Sequence, residues 1–101
     1  MEIFVARTDE EAEHALARIR NADALGCDTE TSGLSAKYGR LFSIQFSDGK
    51  FNVLVPLSEG VGLGPFAEIL ADERIVKIFH NAKFDLDFLR EAGVKVHNVF
   101  D

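Results

Sequence analysis

Leu41-Phe42-Ser43-Ile44-Gln45-Phe46-Ser47-Asp48-Gly49-Lys50-Phe51-Asn52-Val53-Leu54-Val55 is the stretch that decides the fold. Phe42, Ile44 and Phe46 alternate with Ser43, Gln45 and Ser47, the two-residue period of a strand with one buried face. Asp48-Gly49 reads as a two-residue turn, and Phe51, Val53 and Val55 then resume the alternation up to Pro56. The expectation is an antiparallel hairpin.

Upstream, Ile3 to Ala6 reads as a short strand. Thr8-x-x-Glu11 is a capping box that opens a helix, with Ala12, Ala15, Leu16 and Ile19 as its apolar stripe. That helix should end near Asn21 to Asp23. Ala24 to Thr29 is a short apolar strand that runs into acid, and Ser32-Gly33 breaks it. Downstream, Gly60, Gly62 and Gly64 mark a loop without the spacing of a phosphate-binding loop. Pro65 suits the first turn of a helix that buries Phe66, Ile69 and Leu70. Arg74 to Phe79 is rich in β-branched residues and reads as a buried strand. Asn81 is placed to cap a helix from Ala82 to Ala92 with Phe84, Phe88 and Leu89 facing in, and Gly93 stops it. Val94 to Phe100 reads as extended. The order is β-α-β-β-β-α-β-α-β, an α/β domain with a mixed sheet, an antiparallel hairpin and flanking helices.

With 101 residues, 47% apolar and 28% charged, the chain has the balance of one folded domain or part of one. No apolar run reaches the roughly 20 residues of a membrane-spanning helix. Cys27 is the one cysteine, so an internal disulfide and a multi-cysteine metal site are excluded. It alternates with Asp28 and reads as a small core residue. The expected compartment is the cytosol. Eleven basic residues against 17 acidic give a net charge of −6, which argues against a broad electrostatic nucleic-acid binder. It leaves room for an enzyme that grips a few nucleotides and holds metal ions with carboxylates.

Two short segments carry candidate chemistry. In Asp28-Thr29-Glu30 the two carboxylates lie two residues apart on a strand and share a face. Like charges held close repel unless a cation neutralises them, and oxygen-only donors suit Mg²⁺ or Mn²⁺. The plainer alternative is a solvated acidic turn. In His80-Asn81-Ala82-Lys83-Phe84-Asp85, Asn81 and Asp85 share a helix face directly after a strand. The alternative there is a capping residue followed by an acid favoured by the helix dipole. His14, on the polar side of the first helix, reads as solvated. Lys83 reads equally as a phosphate contact or an exposed lysine.

Together the two segments resemble the DEDD family of 3′–5′ exonucleases. The resemblance rests on Asp28-Thr29-Glu30-Thr31-Ser32-Gly33-Leu34 and His80-Asn81-Ala82-Lys83-Phe84-Asp85-Leu86. Gly93 to Asp101 is similar to the corresponding segment in proofreading domains of bacterial-type DNA polymerase I. The resemblance implies a ribonuclease H-like fold and two divalent ions, Mg²⁺ or Mn²⁺. Asp28 would bridge both ions, Glu30 would bind the first and Asp85 the second. Thr31, Leu34, His80, Asn81 and Phe84 would face the substrate, Leu34 as a wedge against the terminal base. The implied partner is a nucleic acid 3′ end, with single-stranded DNA favoured on the tail Val96 to Asp101, and beyond it a polymerase.

The family's third motif, a further Asp preceded four residues earlier by Tyr or His on a later helix, has no match. His97-x-x-x-Asp101 mimics it superficially, without a helix to carry it. The expectation is therefore residues 1–101 as the N-terminal part of a single exonuclease domain. The fold would be incomplete at its C-terminus and the first metal site short of one ligand. Activity of the isolated chain would be weak or absent. A polypeptide supplying the missing segment would restore it, and the exposed apolar surface would favour association. Two alternatives stand beside the proofreading reading. One is a ribonuclease D-like RNA exonuclease, whose flavour Ser43 to Gly49 carries. The other is a catalytically dead exonuclease fold serving as a binding or assembly module.

Overall fold

The structure, a computed structural model, describes residues 2–33 and 35–101. The elements follow the expected order: β1 (Phe4–Val5), α1 (Asp9–Ile19), β2 (Ala24–Ser32), β3 (Arg40–Ser47), β4 (Asn52–Val55), α2 (Phe66–Ala71), β5 (Val76–Phe79), α3 (Ala82–Glu91) and β6 (Val99–Phe100). The strands form one sheet in the order β1-β4-β3-β2-β5-β6. β3 runs antiparallel to both of its neighbours, β2 and β4, whereas β1 joins β4, β5 joins β2 and β6 joins β5 in parallel.

The capping box forms as read. Thr8 Oγ1 accepts from the Glu11 N–H, and Glu11 Oε1 accepts from the Thr8 N–H, both at 3.1 Å. Ala15, Leu16 and Ile19 are buried beside Leu25, Ile44, Phe46, Val53, Val55, Phe66 and Leu70 in one core. All three helices therefore cover the same face of the sheet. Phe46 and Phe66 stack with their ring centroids 5.6 Å apart, which ties α2 to the hairpin.

Four sequence expectations change in detail. The hairpin's two central residues are Gly49-Lys50, one position later than expected, because Ser47 pairs with Asn52 and Asp48 N–H with the Phe51 carbonyl. Gly49 takes the positive φ of +94° that the turn requires, and Asp48 Oδ1 accepts from the Lys50 and Phe51 N–H groups. Second, the alternation of β3 breaks at Phe42. Glu30 pairs with Ser43 and Thr31 with Leu41, so Phe42 is the extra residue of a bulge. Leu41 packs against the core in its place, and Phe42 turns outward. Third, β5 is buried on one face only, with Phe79 inside and Ile78 outside. Fourth, of the extended tail only Val99–Phe100 is a strand. It follows Asn98, whose φ of +60° turns the chain into the sheet while its carbonyl accepts from the Lys77 N–H.

Among the described residues, the opposite face of the sheet carries no helix. Ile78, Val99 and Phe100 are exposed there and at the β5–β6 edge. His14 is exposed yet tilted against Phe4 at 5.1 Å, a ring contact that its solvated reading did not include.

Candidate active site

The site lies at the C-terminal end of β2 and β5, which run parallel with Cys27 opposite Phe79. That register sets Asp28 beside His80. Asp28 and Glu30 are both exposed, as their shared face requires. Thr29, pointing the other way, reaches α3. Its Oγ1 donates to Oδ1 of Asp85, a buried carboxylate in the first turn of that helix. Burial pushes the Asp85 carboxyl above the usual carboxylate range. The Thr29 hydroxyl opposes this, and the charges of Asp28 and Asp101 add to it. Asp85 thus feels two other carboxylates across the end of the sheet.

Asp101 arrives because β6 lies parallel to β5 with Phe100 opposite Ile78. Its Oδ1 accepts from the Ala82 N–H at 3.4 Å, at the first residue of α3. The sequence assigned that task to Asn81, whose side chain makes no cap hydrogen bond. A carboxylate at a helix N-terminus is favoured by the helix dipole as well as by the free N–H groups. Asp28, Gln45, Ser47, Ile78, His80 and Asp101 line an open groove of about 630 Å³.

The expected site residues divide accordingly. Asp28 and His80 line the groove at the end of β2 and β5, and Asp85 lies behind them on α3, bonded to Thr29. Glu30 lies two residues further along β2, next to the bulge. Thr31 is half-buried and pairs with Leu41. Asn81 is exposed. Phe84 is half-buried against Phe88, with the ring centroids 5.0 Å apart, and lines a second groove between α3 and the β2–β3 loop. Leu34 lies outside the described residues. Lys83 is exposed and pairs with Asp87 at 3.4 Å. Cys27 is buried, and burial pushes its thiol up to about 12. Two residues of the constellation were not singled out as site residues: Thr29, the middle of the acidic triplet, and Asp101. The signal for Thr29 was the strand period itself, which turns it toward the helix layer. For Asp101 it was the extended segment running beside β5.

The donor set is anionic and made only of oxygen, which suits a hard divalent cation. Among the described residues, no three His, Cys, Asp or Glu side chains converge closely enough to form a metal site.

Comparison with known proteins places these features in a family. Residues 3–101 match the family described as 3′-5′ exonuclease. Ribonuclease D of Nitrobacter hamburgensis is 32% identical over 96 residues, covering 93% of this chain and 25% of that protein. DNA polymerase I of Aquifex aeolicus is 30% identical over 93 residues, covering 92% of this chain and 15% of that protein. Among solved structures, Escherichia coli RNase D, described as an exoribonuclease involved in structured RNA processing, superposes with a TM-score of 0.84. It is 27% identical, covering all of this chain and 27% of that one. Brucella melitensis NrnC superposes with a TM-score of 0.78 at 29% identity, covering 99% of this chain and 48% of that one. NrnC has also been solved with bound Mg²⁺ and with bound pGG. The chain spans about a quarter of the length of the ribonuclease D relatives. The expected ribonuclease H-like mixed sheet holds, and the chain belongs to the 3′-5′ exonuclease family.

Proposed function

We propose that this chain is the N-terminal part of a ribonuclease D-like exonuclease domain that removes nucleotides from the 3′ end of single-stranded RNA. The observation that carries the chemistry is that Asp28 and Asp101 line one groove at the end of the sheet, while Thr29 fixes Asp85, whose carboxyl feels both charges. The RNA preference rests on the relatives. The ribonucleases D of Nitrobacter hamburgensis and Bartonella henselae match better than the DNA polymerase I of Aquifex aeolicus, which favours RNA over the proofreading reading.

In this reading Asp28, Glu30 and Asp85 would hold divalent ions, and the chemistry these would supply is activation of a water and stabilisation of the leaving oxygen. Thr29 orients Asp85 by its hydrogen bond. Asp101 seats the N-terminus of α3 from which Asp85 projects. His80, Asn81, Phe84 and Thr31 would face the 3′-terminal nucleotides. The remainder of the domain supplies the fourth carboxylate.

The test is to incubate 5′-labelled single-stranded RNA and DNA of equal sequence with the chain and Mn²⁺. Slow shortening from the 3′ end, faster on RNA and lost in Asp28→Ala, is the expected result. Equal or faster shortening of DNA would return the chain to the proofreading reading. Among the described residues no three His, Cys, Asp or Glu side chains form a ready cluster, which is compatible with a second reading, an exonuclease fold used as a binding module. Binding of the RNA with no shortening at all would establish that reading instead.

A further inference from the structure

The chain has 11 Lys and Arg residues and a net charge of −6. Among the described residues, Arg7, Arg20, Arg74, Lys83 and Arg90 stand in ion pairs, and Lys77 is buried with its ammonium on the Asp72 carbonyl. Two of the remaining cations sit three residues apart in Lys37-Tyr38-Gly39-Arg40, the end of the loop from β2 into β3. Tyr38 is 82% exposed, the most exposed large hydrophobic side chain described. The Lys37 ammonium lies 5.6 Å from its ring centroid.

The turn that presents this ring is firmly held. The Tyr38 and Gly39 N–H groups donate to the Ser35 carbonyl at 3.2 and 2.7 Å, and the Arg40 N–H donates to Ser32 Oγ at 3.1 Å. Gly39 packs so tightly that a Cβ there would meet the Ser32 carbonyl at 2.2 Å and Phe88 Cε1 at 2.9 Å. An exposed aromatic on a fixed turn is not accounted for by folding, since its ring gains nothing from burial. The loop leaves β2 after Ser32, two residues beyond Asp28-Thr29-Glu30, and Lys37 and Phe84 line one groove of about 380 Å³ between the loop and α3. An unpaired cation beside an open aromatic face is the arrangement that stacks a base and meets its phosphate.

The geometry points to Tyr38, flanked by Lys37 and Arg40, as a stacking site for a nucleotide of a single-stranded substrate, upstream of the one held at the carboxylates. This rests on the exonuclease reading and deepens it. The site would lengthen the grip on the strand while leaving a dinucleotide indifferent to it.

The chain supplies its own probe, because Tyr38 is the only tyrosine and there is no tryptophan. Oligoadenylate of ten nucleotides is titrated into the full chain in EDTA, with tyrosine emission followed for the wild type. Anisotropy of the labelled oligonucleotide gives Kd for the wild type, Tyr38→Ala and Tyr38→Phe. A saturable quench, about tenfold weaker binding in Tyr38→Ala and near-wild-type binding in Tyr38→Phe are expected. A labelled dinucleotide should bind all three proteins alike. Equal affinity of wild type and Tyr38→Ala for the ten-mer overturns the stacking site and leaves the exonuclease reading standing. Failure of the wild type to bind the ten-mer likewise overturns the stacking site, while the exonuclease reading stands or falls with the shortening assay in Mn²⁺.

Discussion

At the residue scale the site depends on side chains that reach across the sheet's end. Thr29 donates the hydrogen bond that a buried Asp85 accepts. Thr29→Val keeps the shape of the side chain and removes the donor. Leaving a buried acceptor unpaired costs about 1–3 kcal/mol. Urea unfolding should show a loss in that range, and RNA shortening should fall with it. Gly39→Ala acts differently, because the clash is with backbone and an aromatic ring rather than with a flexible side-chain end. A loss of about 1–3 kcal/mol is expected by urea unfolding, as for other overpacked positions.

At the scale of the elements, α3 is seated by a residue 19 positions away, since Asp101 rather than Asn81 meets its first N–H. Asp101→Ala should therefore lower stability by about 1 kcal/mol, and Asn81→Ala should change it much less. Thermal melts of the two variants separate these outcomes. The turn between α2 and β5 carries a pH dependence. Arg74, through its guanidinium and its N–H, holds the Asp72 carboxyl at about 2, below its ordinary 3.8. A depressed folded-state value means that the contribution is full above pH 3.8 and is lost as pH falls through about 2. The wild type should lose more stability than Asp72→Asn between about pH 5 and pH 2 in parallel urea titrations.

At the scale of the whole molecule, one face of the sheet is packed with helices and the other is open, with its acidic groups at one end. Mn²⁺ binding to the folded chain should raise the melting temperature saturably, and Asp28→Ala should abolish the rise. The same substitution should raise the melting temperature of the metal-free protein, because it removes a repelling charge from beside Asp85. A rise with Mn²⁺ that persists in Asp28→Ala would place the ion elsewhere.

The sequence by itself determined the order of strands and helices, because each is a local pattern: the capping box at Thr8, the alternation through Ile44 and Phe46, the stop at Gly93. It also determined the two acidic motifs, since their residue types and short spacings are written along the chain. Where the local pattern failed, a longer-range contact had intervened. Phe42 turned out because the bulge opposite Glu30 and Thr31 shifted the face of β3. Only the tertiary structure decided which distant groups meet. Asp101 joins Asp28 in lining one groove because β6 pairs with β5, and Thr29 reaches Asp85 because α3 packs on that face of β2. Strand pairing and helix packing bring together residues with no spacing in common along the chain. The carboxylate that completes the end of the sheet and the donor that orients its neighbour became visible only once the chain had folded.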